Sequence, residues 1–131
     1  MASDINQVEI TGRLTRDPEL RFSQGGAAVA TFAVANNRYF QRNDEWEESV
    51  SFIDIVAFQK LAELVAENLG KGDSVLVLGR LEQETWEDKD TGAKRSRHKV
   101  VASRVDKVAN IRPPKDASED APREAGAEEG W

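Results

Sequence analysis

The sequence predicts an all-β chain: a five-stranded barrel with one helix between strands three and four, followed by a disordered acidic tail. Three observations predict it. Apolar residues recur with strand periodicity in separate stretches before residue 111. One stretch, Lys60 to Leu69, switches to helical spacing. At Arg112 periodicity and apolar content stop together.

In Gln7–Leu14, Val8, Ile10 and Leu14 share one face, with Gly12 where a side chain is missing. That pattern fits a half-buried strand with a bulge or a close backbone approach at the glycine. Asp17-Pro18 marks a turn, Leu20-Arg21-Phe22 is a short extended piece, and Gln24-Gly25-Gly26 turns again. Ala28–Ala35 is apolar on both faces and reads as a second strand covered on both. Asn36–Glu48 is polar, with a turn at Asn43-Asp44, yet it holds Tyr39, Phe40 and Trp46. Ser49–Phe58 is the third strand.

Leu61, Leu64, Val65 and Leu69 then fall on one helical face. Gly70 stands where a left-handed C-terminal cap is expected, and Lys71 lies near that negative helix end. Gly72-Asp73 leads into Ser74–Leu81, the fourth strand; Trp86 and the loop Asp88–Gly92 follow. Lys94–Val108 is the last strand, with Val101, Val105 and Val108 as core candidates and a break or bulge among them. This order is that of the oligonucleotide/oligosaccharide-binding barrel, the OB-fold. Residues 1–111 form the domain and 112–131 the tail, where Pro113-Pro114 stops any strand.

Composition narrows the function classes. A chain of 131 residues with 39% apolar content makes one domain whose modest core can lean on a subunit interface. The absence of cysteine excludes disulfides, thiolate nucleophiles and cysteine-ligated metals. No apolar run reaches bilayer length, and the first residues lack a secretory signal, so a soluble cytoplasmic protein is expected. The net charge of −6 divides evenly. The tail has six acidic and three basic residues, and residues 1–111 have 18 and 15, so each part carries −3. A grip on phosphates must therefore come from local patches of Lys and Arg.

Catalysis finds little support. His98 is the only histidine, and no phosphate loop or nucleophile motif is present. Glu82, Glu84, Glu87, Asp88 and Asp90 lack the ligand spacing of a calcium loop and read as a solvated hairpin. No enzyme activity, metal or cofactor is expected. Single-strand binders stack bases on aromatic faces and track phosphates with basic side chains. Tyr39, Phe40, Phe52 and Trp86 are the aromatic candidates; for Tyr39, Phe40 and Trp86, in polar surroundings, the pattern leaves stacking and packing between subunits both open. Phe32 belongs to the core, Phe58 fits either role, and Trp46 sits unassigned in an acidic loop. The basic candidates are Arg13, Arg21, Arg38, Arg42, Arg80, Lys94, Arg95, Arg97, Lys99 and Arg104. Arg95, Arg97 and Lys99 point to one face of the last strand, Lys94, Ser96 and His98 to the other. Such a patch also suits a solvated edge strand blunted with charge.

Over residue 4 to about residue 111 the chain resembles bacterial single-stranded DNA-binding proteins. The resemblance rests on Val8-Glu-Ile-Thr-Gly-Arg-Leu14, Asp17-Pro-Glu-Leu-Arg-Phe22, Gly25-Gly-Ala-Ala-Val-Ala30, Phe58-Gln-Lys-Leu-Ala-Glu63, Lys71-Gly-Asp73 and Gly79-Arg-Leu81, in that order and spacing. It implies an OB-fold homotetramer around which single-stranded DNA wraps, with bases stacking on Phe40 (Tyr39 beside it), Phe52, Phe58 and Trp86. It also implies roles in replication, recombination and repair and an association with the nucleoid. Phenylalanine at 40 and 52, where the family often has tryptophan, offers a smaller face. Glu82-Gln-Glu-Thr85 is acidic where relatives are often basic, and Ile53 stands where some carry a histidine linked to tetramer contacts. The tip Glu128-Glu129-Gly130-Trp131 is similar to the family's acidic, apolar-ended tips, which look like ligands for basic, apolar pockets on replication and repair proteins. Two other readings stay open: a protein-interaction module whose acidic surface has weakened the grip on DNA, and a metal-dependent nuclease using the acids from Glu82 to Asp90. Single-stranded RNA is a further ligand for such rings, because stacking does not read the sugar.

Overall fold

The computed structural model describes residues 2–109. The tail from residue 112, with Glu128, Glu129, Gly130 and Trp131, lies outside the described residues. The alternating stretches form strands β1 (Val8–Leu14), β2 (Glu19–Phe22), β3 (Ala28–Arg42) and β4 (Glu45–Phe58), then helix α1 (Gln59–Asn68), then β5 (Ser74–Glu87) and β6 (Lys94–Lys107). The strands lie in the order β1-β5-β6-β4-β3-β2, and β1 pairs again with β3. That second pairing closes a ring of five strands, with the short β2 added to β3 outside it. All pairings are antiparallel except β4 with β6, which run parallel and meet at Ile55–Val100 and Val56–Val101.

Backbones come close at two glycines, Gly12 where the ring closes and Gly79 at the irregularity between β5 and β6. A Cβ on Gly12 would sit 2.8 Å from the Ala35 carbonyl oxygen and 3.1 Å from Val34 Cβ, where β1 meets β3. A Cβ on Gly79 would collide with the Val101 carbonyl. The core inside the ring holds Leu14, Ala30, Phe32, Val34, Ile55, Ala57, Val75, Val77 and Val100, with Ala62 and Val65 of α1 against it.

One expectation for the last strand holds, and two for α1 need correction. The bulge expected in the last strand is present: Leu78 pairs with Arg104 and Gly79 with Ala102, leaving Ser103 as the extra residue. It shifts the alternation, so Val100 and Ala102 share the barrel interior with Val105, while Val101, buried as expected, sits on the other face of the sheet beside Val56. On α1, Leu64 is 45% exposed, and Ala62 lies inside instead. Gly70 is not a left-handed cap. Leu69 leaves the helix extended (φ −116, ψ 146), its N–H still bonded to the Val65 carbonyl, and the left-handed position falls on Gly72 (φ 91). Asp17 and Asp73 fix this exit by accepting from the backbone N–H groups of Lys71 and Gly70, both at 2.8 Å.

The polar stretch after Ala35 is strand rather than loop. β3 and β4 pair without interruption out to Arg42–Glu45, and Asn43 (φ 52) and Asp44 (φ 64) make a two-residue turn. Trp46, expected in an acidic loop, stands opposite Gln41. β5 likewise runs on to Glu87, opposite Lys94. Because β4 and β6 are parallel, both hairpins leave the barrel at the same end as two arms. Among the described residues no helix is long and apolar enough to cross a membrane.

Candidate nucleic-acid interface

Strand alternation decides what the arms present. On β4, Phe58, Val56, Asp54 and Phe52 turn outward, paired with Val29, Thr31, Ala33 and Ala35 of β3. On the other arm, Trp86, Glu84, Glu82 and Arg80 share a face with Arg95, Arg97, Lys99 and Val101. The arms part beyond the Ile55–Val100 contact, and a groove of about 570 Å³ opens along this outward surface. Arg16, Arg21, Phe22, Phe58, Arg97 and Lys99 line it, with the carboxylates Asp54 and Glu84 on its walls. Phe58 is 43% exposed and Trp86, which shares the outward face of Arg97, 41%. Beside the groove a depression of about 330 Å³ holds Phe52, the most exposed of these rings at 72%. Asp54 and Lys99 line both concavities.

The cations here are mostly paired with neighbouring acids. Lys99 Nζ donates to Glu84 at 2.9 Å, and Arg97 lies 3.6 Å from the same carboxylate. The Lys99 hydrogen bond and charge, with Arg97 adding to them, hold the Glu84 carboxyl below its usual range. Arg95 bonds Asp88 at 3.0 Å, Arg80 meets Glu82 at 3.2 Å, Arg42 meets Glu47 at 3.4 Å, and Arg21 pairs with Glu19. Asp88 is held below its usual range first by the backbone N–H of Asp90 and then by Arg95. Exposed pairs of this kind contribute little to stability, but they neutralise much of the charge offered to a ligand.

Among the sequence candidates, the groove brings together Arg21, Phe58, Arg97 and Lys99, with Trp86 and Arg95 on the continuing face of the β5–β6 arm and Phe52 in the neighbouring depression. Others lie elsewhere. Arg38, Phe40 and Arg42 alternate to the opposite face of the β3–β4 arm, where the two guanidinium groups sit 4.6 and 5.4 Å from the Phe40 ring centre. Tyr39, next to Phe40 in sequence, shares the face of Phe52, and its hydroxyl is raised above the usual range chiefly by a hydrogen bond with Glu48. Lys94 lies on the face away from Arg95, and Arg13, Arg80 and Arg104 do not line the groove. Arg16 and Phe22 line it although the sequence did not single them out as binding candidates. The available signal was their position, either side of the Asp17-Pro18 turn in the segment joining β1 to β3.

The described residues contain no cluster of His, Asp and Glu suited to a metal. Arg97 stands 5.5 Å from the Trp86 ring centre, so cation and ring are presented together. Exposed rings interleaved with guanidinium and ammonium groups along an open groove can hold flat, unpaired bases and an anionic backbone.

Comparison with known proteins places this geometry. The model of the single-strand binding protein family matches residues 5–108. A single-stranded DNA-binding protein of Borreliella burgdorferi is 46% identical over 103 residues, 79% of this chain and 69% of the relative. One from Helicobacter hepaticus is 47% identical over 98 residues, 74% of this chain and 57% of the relative. A solved Plasmodium falciparum SSB complex with ssDNA superposes with a TM-score of 0.77 at 24% identity, covering 83% of this chain and 99% of that one, a likeness of fold.

Proposed function

The chain belongs to the single-strand binding protein family, and from that premise we propose that it binds single-stranded DNA without reading its sequence. The observation that carries this is the outward face on which Phe52, Phe58 and Trp86 stand with Arg21, Arg97 and Lys99. Bases stack on the rings, each contributing roughly 1–3 kcal/mol, and the cations follow the phosphates. Arg16 joins them from the β1–β2 connection. Duplex DNA hides its base faces and meets only the cations, most of which already have carboxylate partners.

Residues 1–111 are the binding domain. The acidic tail 112–131 recruits replication, recombination and repair proteins through Glu128, Glu129, Gly130 and Trp131, an apolar ring following acids. Self-association into a homotetramer lets one strand pass over several grooves, and the protein works on the DNA of the cytoplasm. Arg13, Arg38, Phe40, Arg42, Arg80 and Lys94 lie outside the groove and suit a strand that continues around the surface.

Titration of labelled oligothymidine with the protein, with excess duplex as competitor, tests the central claim. Tight binding that resists duplex and weakens as salt rises is expected. No binding even at low salt refutes it.

A further inference from the structure

Stacking and phosphate contact do not account for Glu84, a carboxylate on the groove wall. Glu84 stands on β5 directly opposite Arg97, and alternation turns it outward onto the groove wall. Its carboxylate accepts from Lys99 Nζ at 2.9 Å and lies 3.6 Å from Arg97. Both of these cations line the groove. A carboxylate that bridges an ammonium and a guanidinium offers them what a phosphodiester would, a negative charge shared by two acceptor oxygens. Arg97, held on one side by Glu84, also lies 5.5 Å from the Trp86 ring centre. The carboxylate therefore bears on the placement of a cation that stands beside a stacking face.

We propose that Glu84 is an internal stand-in for a backbone phosphate, occupying Arg97 and Lys99 until an entering single strand displaces it. This deepens the single-strand reading above and rests on it. The consequence is a division of labour. With these two cations already satisfied, little of the binding free energy comes from charge there and more comes from the rings. A displaced carboxylate takes up a counterion from solution and repels the nearby phosphate, which offsets the counterions released from the strand. Each phosphate contact on a single strand contributes a slope of roughly −0.7 to log K against log salt. Glu84 cancels much of that for two cations.

The test compares the full-length wild type with Glu84→Gln and Glu67→Gln by titration of labelled oligothymidine over a range of salt. Glu67 is exposed on α1 and away from the groove, so its substitution removes the same charge elsewhere. Glu84→Gln is expected to bind about 10-fold more tightly at low salt and to steepen the salt slope by roughly 1, while Glu67→Gln keeps the wild-type slope. Equal slopes for all three, or the same gain from Glu67→Gln, overturn the role of Glu84 and leave single-strand binding standing. If the wild type does not bind and Glu84→Gln does, the native protein is not a single-strand binder, yet Glu84 does block the cations. If neither binds, both readings fall.

Discussion

The barrel and its two arms are made of the same strands but held by different forces. Phe32, Ile55, Val75 and Val77 are all but closed to solvent, at 1%, 1%, 0% and 0% exposure, whereas Phe52, on the same strand as Ile55, is 72% exposed. Inside the ring, burial of apolar surface holds the chain at roughly 25 cal/mol per Å². Along the arms, strand pairing and exposed ion pairs such as Arg95–Asp88 and Lys99–Glu84 take its place. Stability and ligand contact are thus assigned to different stretches of one strand, and a substitution should reveal which stretch it touches by which property it changes.

The largest effect belongs to the barrel. Phe32→Ala empties the centre of the core and should lower unfolding free energy by about 3–5 kcal/mol, read by urea denaturation followed by circular dichroism. A loss below 1 kcal/mol would break the division, since the arms would then be sharing the load. Trp86→Ala tests the converse. Its ring stands half-exposed on an arm, so the denaturation midpoint should stay near wild type while oligothymidine affinity falls by about 1–3 kcal/mol, roughly 5- to 150-fold. A fall in stability with affinity unmoved would make Trp86 a packing residue.

The smallest effect lies at the tip of the β5–β6 arm. Hydrogen bonding from the Asp90 backbone, with help from Arg95, keeps Asp88 below the ordinary aspartate range. A depressed folded-state pKa stabilises the fold above the unfolded value, and that stabilisation fades as pH falls through the lowered one. Asp88→Asn should therefore reduce the urea midpoint slightly at neutral pH and match wild type in acid. A difference that persisted in acid would mean that the Asp88 charge is not what holds the tip.

The barrel was legible in the sequence because burial writes itself as hydrophobic period. Val8, Ile10 and Leu14 marked β1, and Gly12 marked the close approach to β3. The arms were legible only in part: Lys94–Val108 and the turn at Asn43-Asp44 were readable, whereas Asn36–Arg42, largely exposed and without apolar alternation, looks like a loop. Part of the groove was legible by residue type: the basic run named Arg97 and Lys99, while Phe58 stayed open between stacking and packing, and Trp86, a ring in polar surroundings, lies on the continuing face of the arm. What the types left hidden was facing and pairing. Tyr39 and Phe40 are neighbours in sequence and stand on opposite sides of the hairpin. Glu82, Glu84 and Asp88 looked like mere solvation and instead engage Arg80, then Arg97 and Lys99 together, and Arg95. Gly70 was misread because a glycine after a helix usually signals a left-handed cap, while here the chain leaves extended and turns two residues later.

The extra residue at Ser103 works as a phase shifter. Without it, every odd-numbered side chain from Arg95 to Val105 would share one side of β6. Either Val105 would be driven into water or the guanidinium and ammonium groups would be turned toward the barrel interior. With it, the two halves of the strand keep independent registers. The arm half can exchange cations for acids, or rings for polar groups, without any correction in the half that packs the core.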